Sequence, residues 1–119
     1  MPAETPPIVI DWDYLNQMSG GSEEFKNELL QAFVETIPPH LADLKTAIAT
    51  ADYSEIEQKA HLIKGSSASL GIRSAELPAA QLEQQGRWQQ LDNAEQLFSD
   101  LEVALCKIQA IVQADGNSV

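Results

Sequence analysis

The sequence predicts an all-α protein, an up-and-down four-helix bundle with a short additional N-terminal helix. Three observations carry that expectation. Apolar residues recur at helical spacing in several segments, and glycines, prolines and capping side chains punctuate the gaps between them. Strand-like alternation is missing apart from the brief Ile8-Val9-Ile10. The 119 residues suffice for one core but not for two, and an apolar content of 44% describes a globular chain.

Residues 1–7 read as a disordered lead, residues 8–113 as the domain, and residues 114–119 as a flexible tail. Asp11 is a good N-cap for a short helix reaching about Met18, which Ser19-Gly20-Gly21 then breaks. Ser22 opens a second helix with Glu23 and Glu24 in its first turn, where the helix dipole favours acids. Leu29, Leu30, Phe33 and Ile37 give it a buried stripe. Pro38-Pro39 interrupts the pattern, but Leu41, Leu44 and Ile48 resume it at once. This predicts a kinked helix, or two nearly continuous ones, ending near Thr50.

Asp52 or Tyr53 begins the third helix, which stops near Gly71 as a C-terminal glycine. Ser74 is expected to cap the fourth, with Pro78 tolerated near its start. Leu77, Ala79 and Leu82 mark its buried side, and Gly86 its end. From about Leu91 to Val112, Ala94, Leu97, Leu101, Ala104, Leu105, Ile108 and Val112 form one long apolar face.

The formal net charge is −11, from 18 acidic and 7 basic residues. That balance argues against a nucleic-acid partner or an anionic membrane surface, both of which demand clustered Lys and Arg. It favours a self-repelling monomer. Cys106 is the single cysteine, so an intrachain disulfide and a thiolate metal cluster are both excluded. The N-terminus lacks the basic and apolar regions of a signal peptide, which leaves the cytoplasm as the expected compartment. Met1 and the polar ends suggest a free-standing protein, the alternative being a piece of a larger sensor kinase.

The third helix carries the chemistry. On a wheel at about 100° per residue, Ile56, Ala60, Ile63, Ser67 and Leu70 cluster on the core side, and His61 points outward. Lys64 lies one turn along, within side-chain reach, while Gly65 and Ala68 leave a strip almost free of side chains beside the ring. A mid-helix glycine costs roughly 1 kcal/mol against alanine, so bare backbone next to a histidine calls for a reason. A neutral imidazole nitrogen is a capable nucleophile near pH 7, the free group having a pKa of roughly 6.5. A neighbouring ammonium favours that neutral form and can neutralise an arriving phosphoryl group. Such transfer needs chiefly alignment and charge stabilisation.

The run His61-x-x-Lys64-Gly65-Ser66-Ser67-x-x-Leu70-Gly71 resembles the signature of histidine-containing phosphotransfer (HPt) domains of multistep two-component phosphorelays. The similarity extends over about residues 8–112, including Asp11 with Leu15, the Gly-Gly break, Phe33 before the prolines, and Leu82-Glu83 with Gly86-Arg87. The resemblance implies a four-helix bundle whose exposed histidine accepts a phosphoryl group, typically on Nε2, from a phospho-aspartate of a response-regulator receiver domain and returns it to another receiver aspartate. The partners implied are the receivers of a hybrid histidine kinase and of a downstream regulator. Mg²⁺ and the acidic pocket belong to the receiver, so the domain needs no cofactor or metal of its own.

By position, His61 is the phospho-acceptor, Lys64 the phosphate stabiliser and Gly65 the steric allowance for the docking receiver. Glu57, Leu62, Ala68 and Ile72 are the expected docking surface. Glu83 matches a site where some members carry a glutamine near the histidine, and an acid there would not help hold phosphate. An adaptor that binds receivers or a kinase without being phosphorylated is the competing function on the same fold.

Other residues have plainer readings. Ser67 fits close helix packing with its hydroxyl on the i−4 carbonyl, and Ser66 can do the same on the flank. His40 lies off the Leu41–Leu44 stripe and reads as a surface residue, and Cys106 as a core or boundary one. Glu57 and His61 could share a metal only with further ligands on a second helix, which the chain lacks. With no P-loop or other nucleotide-binding loop, the chain is expected to carry phosphate rather than to act as a kinase.

Overall fold

The computed structural model describes residues 10–117, with side chains described through residue 112. Five helices follow in order: α1 (Trp12–Met18), α2 (Glu23–Thr50), α3 (Tyr53–Leu70), α4 (Arg73–Trp88) and α5 (Ala94–Asn117). α2 packs on α3, α3 on α4, α4 on α5, and α5 back on α2, while α1 lies against α3. The short links after α2, α3 and α4 leave antiparallel neighbours as the natural arrangement. This is the expected bundle with its extra helix. Among the described residues the one β-type pairing is an isolated bridge between Ile10 and Ile72. Among the described residues, no helix is long and apolar enough to cross a membrane.

The expected lead, residues 1–7, lies outside the described residues. α5 continues to Asn117, so residues 114–117 extend the helix beyond the boundary expected at 113.

Three helix starts follow the capping logic of the sequence. Asp11 accepts from the Tyr14 amide at 3.0 Å, Ser22 from Phe25 at 3.1 Å, and Asp52 from Glu55 at 3.2 Å. Each such cap stabilises its helix by about 1 kcal/mol. α2 passes through Pro38 and Pro39 as one helix. Leu30, Phe33 and Ile37 before the prolines and Leu41, Leu44 and Ala47 after them are buried along one stripe, and that packing outweighs two missing amide donors.

The start and end of α4 depart from expectation. Ser74 does not cap it: Ile72 occupies the N-cap position without a side-chain bond, and its carbonyl accepts from Glu76 at 3.0 Å. The cause is the tight reversal at Gly71, whose φ of 72° suits glycine. There the Asp11 amide donates to the Gly71 carbonyl at 2.7 Å, and a Cβ would fall 3.1 Å from that of Asp11.

Nor does Gly86 end α4, which continues to Trp88. Gly86 is buried against α3, where an added Cβ would lie 2.8 Å from the Glu57 amide nitrogen and 2.9 Å from the Tyr53 carbonyl oxygen. Leu77, expected in the core, is 60% exposed, since it lies well over 100° around the helix from both Ala79 and Leu82. Cys106 is likewise exposed, on the side of α5 away from Leu101, Ala104 and Ile108. His40 is half-buried rather than a plain surface residue.

Candidate functional site

Burial along α3 follows the wheel. Ile56, Ala60, Ile63, Ser67 and Leu70 are buried, and the Ser67 hydroxyl donates to the Ile63 carbonyl at 2.7 Å, as close packing of a small polar residue requires. His61 projects from the opposite side with its side chain 64% exposed. Gly65 meets open space: an added Cβ would have no heavy atom within 4 Å. Nothing within the described chain therefore demands glycine there.

α4 supplies the other half of the site. Its close approach at Gly86 brings it against the first turns of α3, and one turn earlier on α4 Glu83 faces His61. The His61 Nδ1 lies 2.7 Å from Glu83 Oε2, and Lys64 Nζ lies 2.5 Å from Glu83 Oε1. Arg87, one turn on, reaches Glu83 Oε2 at 3.3 Å and Glu57 Oε2 at 2.9 Å. The Glu83 side chain is only 7% exposed. Burial pushes its carboxyl up, but hydrogen bonds from Lys64 and His61, with the charges of both, reverse that and hold it below the ordinary carboxylate range. An ionised carboxylate can only accept, so Nδ1 is the donor and carries the ring proton. In the neutral ring Nε2 then keeps its lone pair.

Sequence reasoning left the role of Glu83 open, because it asked only whether an acid could hold phosphate. The available signal was positional. Glu83 falls beside Ala79, Leu82 and Gly86 at the edge of the apolar sector of α4, and an acid there must find partners. Arg87 entered only as part of the Gly86-Arg87 match, because its contacts with Glu57 and Glu83 depend on how α3 and α4 meet.

Of the expected docking residues, Leu62 is 45% exposed and Ala68 half-buried beside the open strip. Glu57 is turned toward Arg87. Ile72 drops out: it is fully buried and forms the bridge to Ile10, so its side chain cannot meet a partner. In its place α1 and the start of α2 expose Trp12, Tyr14, Met18 and Phe25, with Lys26 over the Trp12 ring at 5.6 Å. Among the described residues, no group of three or more His, Cys, Asp or Glu gathers as a metal site.

The arrangement is that of an exposed imidazole bonded on Nδ1, a cation one turn away and open space at Gly65. Comparison with known proteins bears on the fold and the family. The chain is 29% identical over 98 residues to the phosphorelay intermediate protein rdeA of Dictyostelium discoideum, which covers 82% of this chain but 39% of that protein. Its structure is similar to the crystal structure of histidine-containing phosphotransfer protein B (HptB) from Pseudomonas aeruginosa PAO1, with a TM-score of 0.76, 24% identity, and 97% and 99% of the two chains covered. It also resembles the HPT domain of a sensor hybrid histidine kinase from Shewanella, with a TM-score of 0.74, 17% identity, and coverage of 92% and 95%. At those identities the two structures establish the shared fold. The model of the Hpt domain matches residues 28–114, nearly three quarters of the chain and the whole of the His61 site, and the protein belongs to the Hpt domain family.

Proposed function

We propose that this protein is a phosphorelay intermediate: Nε2 of His61 accepts a phosphoryl group from the phospho-aspartate of one receiver domain and passes it to the aspartate of another. The observation that carries this reading is the His61 ring itself, its side chain mostly exposed and its Nδ1 bound to a buried carboxylate. Lys64 is close enough to exchange its bond with Glu83 for one to the incoming phosphoryl oxygens. The strip of Gly65 and Ala68 admits the edge of the receiver, and exposed apolar residues such as Leu62 supply adhesive surface. In this reading the chain is a cytoplasmic monomer that carries phosphate without ATP chemistry of its own. Mg²⁺ comes with the receiver of a hybrid kinase or a downstream regulator.

The test is chemical. A receiver labelled on its aspartate should transfer the label to this chain in a linkage that is acid-labile and base-stable. Tight binding of receivers with no label transferred would identify the adaptor instead.

Two variants probe the parts. Lys64→Ala should slow transfer by about tenfold or more, the scale of one charge-assisted contact to a phosphoryl oxygen, while lowering the melting temperature by no more than a few degrees. An unchanged single-turnover rate would remove Lys64 from the mechanism. Gly65→Ala should raise stability by about 1 kcal/mol, because the new methyl enters open space and helix propensity improves. The longer Gly65→Gln should keep the fold and weaken receiver binding. Melting and binding measured on one sample would expose the opposite pattern.

A further inference from the structure

We infer that the outward face of α4 is a self-association surface, on which a second copy of this chain docks about a two-fold axis to form a reversible dimer. The inference goes beyond the carrier reading and does not depend on it.

Leu77, Gln81, Gln84 and Trp88 follow one another on α4 at steps of four, three and four residues, which sets them in one stripe. Its two apolar members are the most exposed large hydrophobic side chains among the described residues, Leu77 at 60% and Trp88 at 67%. That spacing is the seam of a helix pair. Within the chain, however, α4 turns Ala75, Ala79, Leu82 and Gly86 inward and leaves this stripe uncovered. The stripe carries no charge, in a chain whose net charge is −11. Two copies that meet along it avoid the like-charge contact that most other faces would impose.

The shape fits a copy of the same helix. Gln81, Gln84, Gln85 and Trp88, together with Gln90 and Asp92, line a recess of about 290 Å³. The first four stand at i, i+3, i+4 and i+7, the corners of the hole that a knob from a facing helix fills. Gln85 donates to Asn93 at 2.8 Å and accepts from the Asp92 amide at 3.0 Å, so that wall is set before a partner arrives. Leu77, one turn before Gln81, is the matching knob. In an antiparallel pair, Leu77 of each copy enters the hole of the other and packs on its Trp88. The two-fold then passes near Gln81, midway between knob and hole, where each amide can donate to its counterpart and accept from it. Both knobs and both holes are used, so the contact closes at two copies.

One helix face per copy is smaller than a standard interface of about 800 Å² per partner, so association is weak and reversible. Dilute chains remain monomers, as the carrier reading has them. Glu83, which bonds His61, lies roughly 120° or more around α4 from Leu77 and Trp88. Both histidines of the dimer therefore stay open to receivers.

Sedimentation equilibrium of the full chain tests this. Between about 10 µM and 1 mM the apparent mass should rise from that of the 13.0 kDa monomer toward twice that, and no further. Trp88→Gln and Leu77→Gln should each weaken association by about tenfold or more, with helicity and melting nearly unchanged because both side chains are exposed. Gln81→Glu and Gln81→Lys should each block self-association, and their mixture should pair more tightly than either alone. A wild type monomeric across that range, a Trp88→Gln chain that associates normally, growth beyond the dimer, or a mixture that does not pair would each overturn the proposal. Label uptake per chain should be equal in wild type and Trp88→Gln. Uptake lost only in Trp88→Gln would make the stripe a receiver contact and overturn the dimer, whereas uptake absent from both strikes the carrier reading and leaves the dimer standing.

Discussion

His61→Gln should fold like the wild type and take up no phosphate. The side chain is mostly exposed, and it bonds to Glu83, to which a glutamine amide can still donate. No core contact is lost, so the melting temperature should move by only a few degrees. Chemically the loss is complete, because an amide nitrogen has no lone pair to offer phosphorus. Label uptake from a phosphorylated receiver should fall at least about a thousandfold, to the level of a blank. Uptake persisting above a few per cent of wild type would mean that another side chain is the acceptor.

The largest effect on stability is expected at Gly86. A valine there would set its Cβ within 3 Å of backbone atoms of Tyr53 and Glu57, and backbone cannot step aside as a side-chain end can. α3 and α4 must separate, at a cost of about 3 kcal/mol, near the upper end for overpacked interiors. For a domain of this size that corresponds to a fall in melting temperature of roughly 10 °C. The same displacement would draw Glu83 away from His61, so the residual folded protein should also show a mixed ring tautomer. Thermal melting and ¹⁵N spectra of Gly86→Val and Gly65→Ala, side by side, make the contrast. One glycine serves the packing of this chain, and the other faces open space. A Gly86→Val protein as stable as wild type would contradict the close approach of the two helices.

Much of this was legible in the sequence because it depends on local rules. Periodic apolar residues gave the helices, Asp11, Ser22 and Asp52 gave three of their starts, and the wheel put His61 and Gly65 outside. What was missed depends on how helices meet. Gly86 looks like a terminator when read along the chain, and becomes a contact point only when α3 lies against it. Glu83 is placed near the histidine by resemblance alone, and its part stays open until its bonds to His61, Lys64 and Arg87 are known. Ile72 falls on the His61 side of the wheel, but the turn at Gly71 ends the helix before the wheel applies, and the side chain goes into the core. Leu77 failed for the converse reason, an apolar residue assigned to the core by type although its angle pointed away.

The central claim is that phosphate resides on one named atom. The measurement that addresses it most directly is ³¹P–¹⁵N correlation spectroscopy on the uniformly ¹⁵N-labelled chain after incubation with a phosphorylated receiver. A single N–P bond on Nε2 of His61, with the proton retained on Nδ1, is the predicted result. Phosphate on Nδ1, on a hydroxyl such as that of Ser66, or no covalent phosphate at all would contradict it.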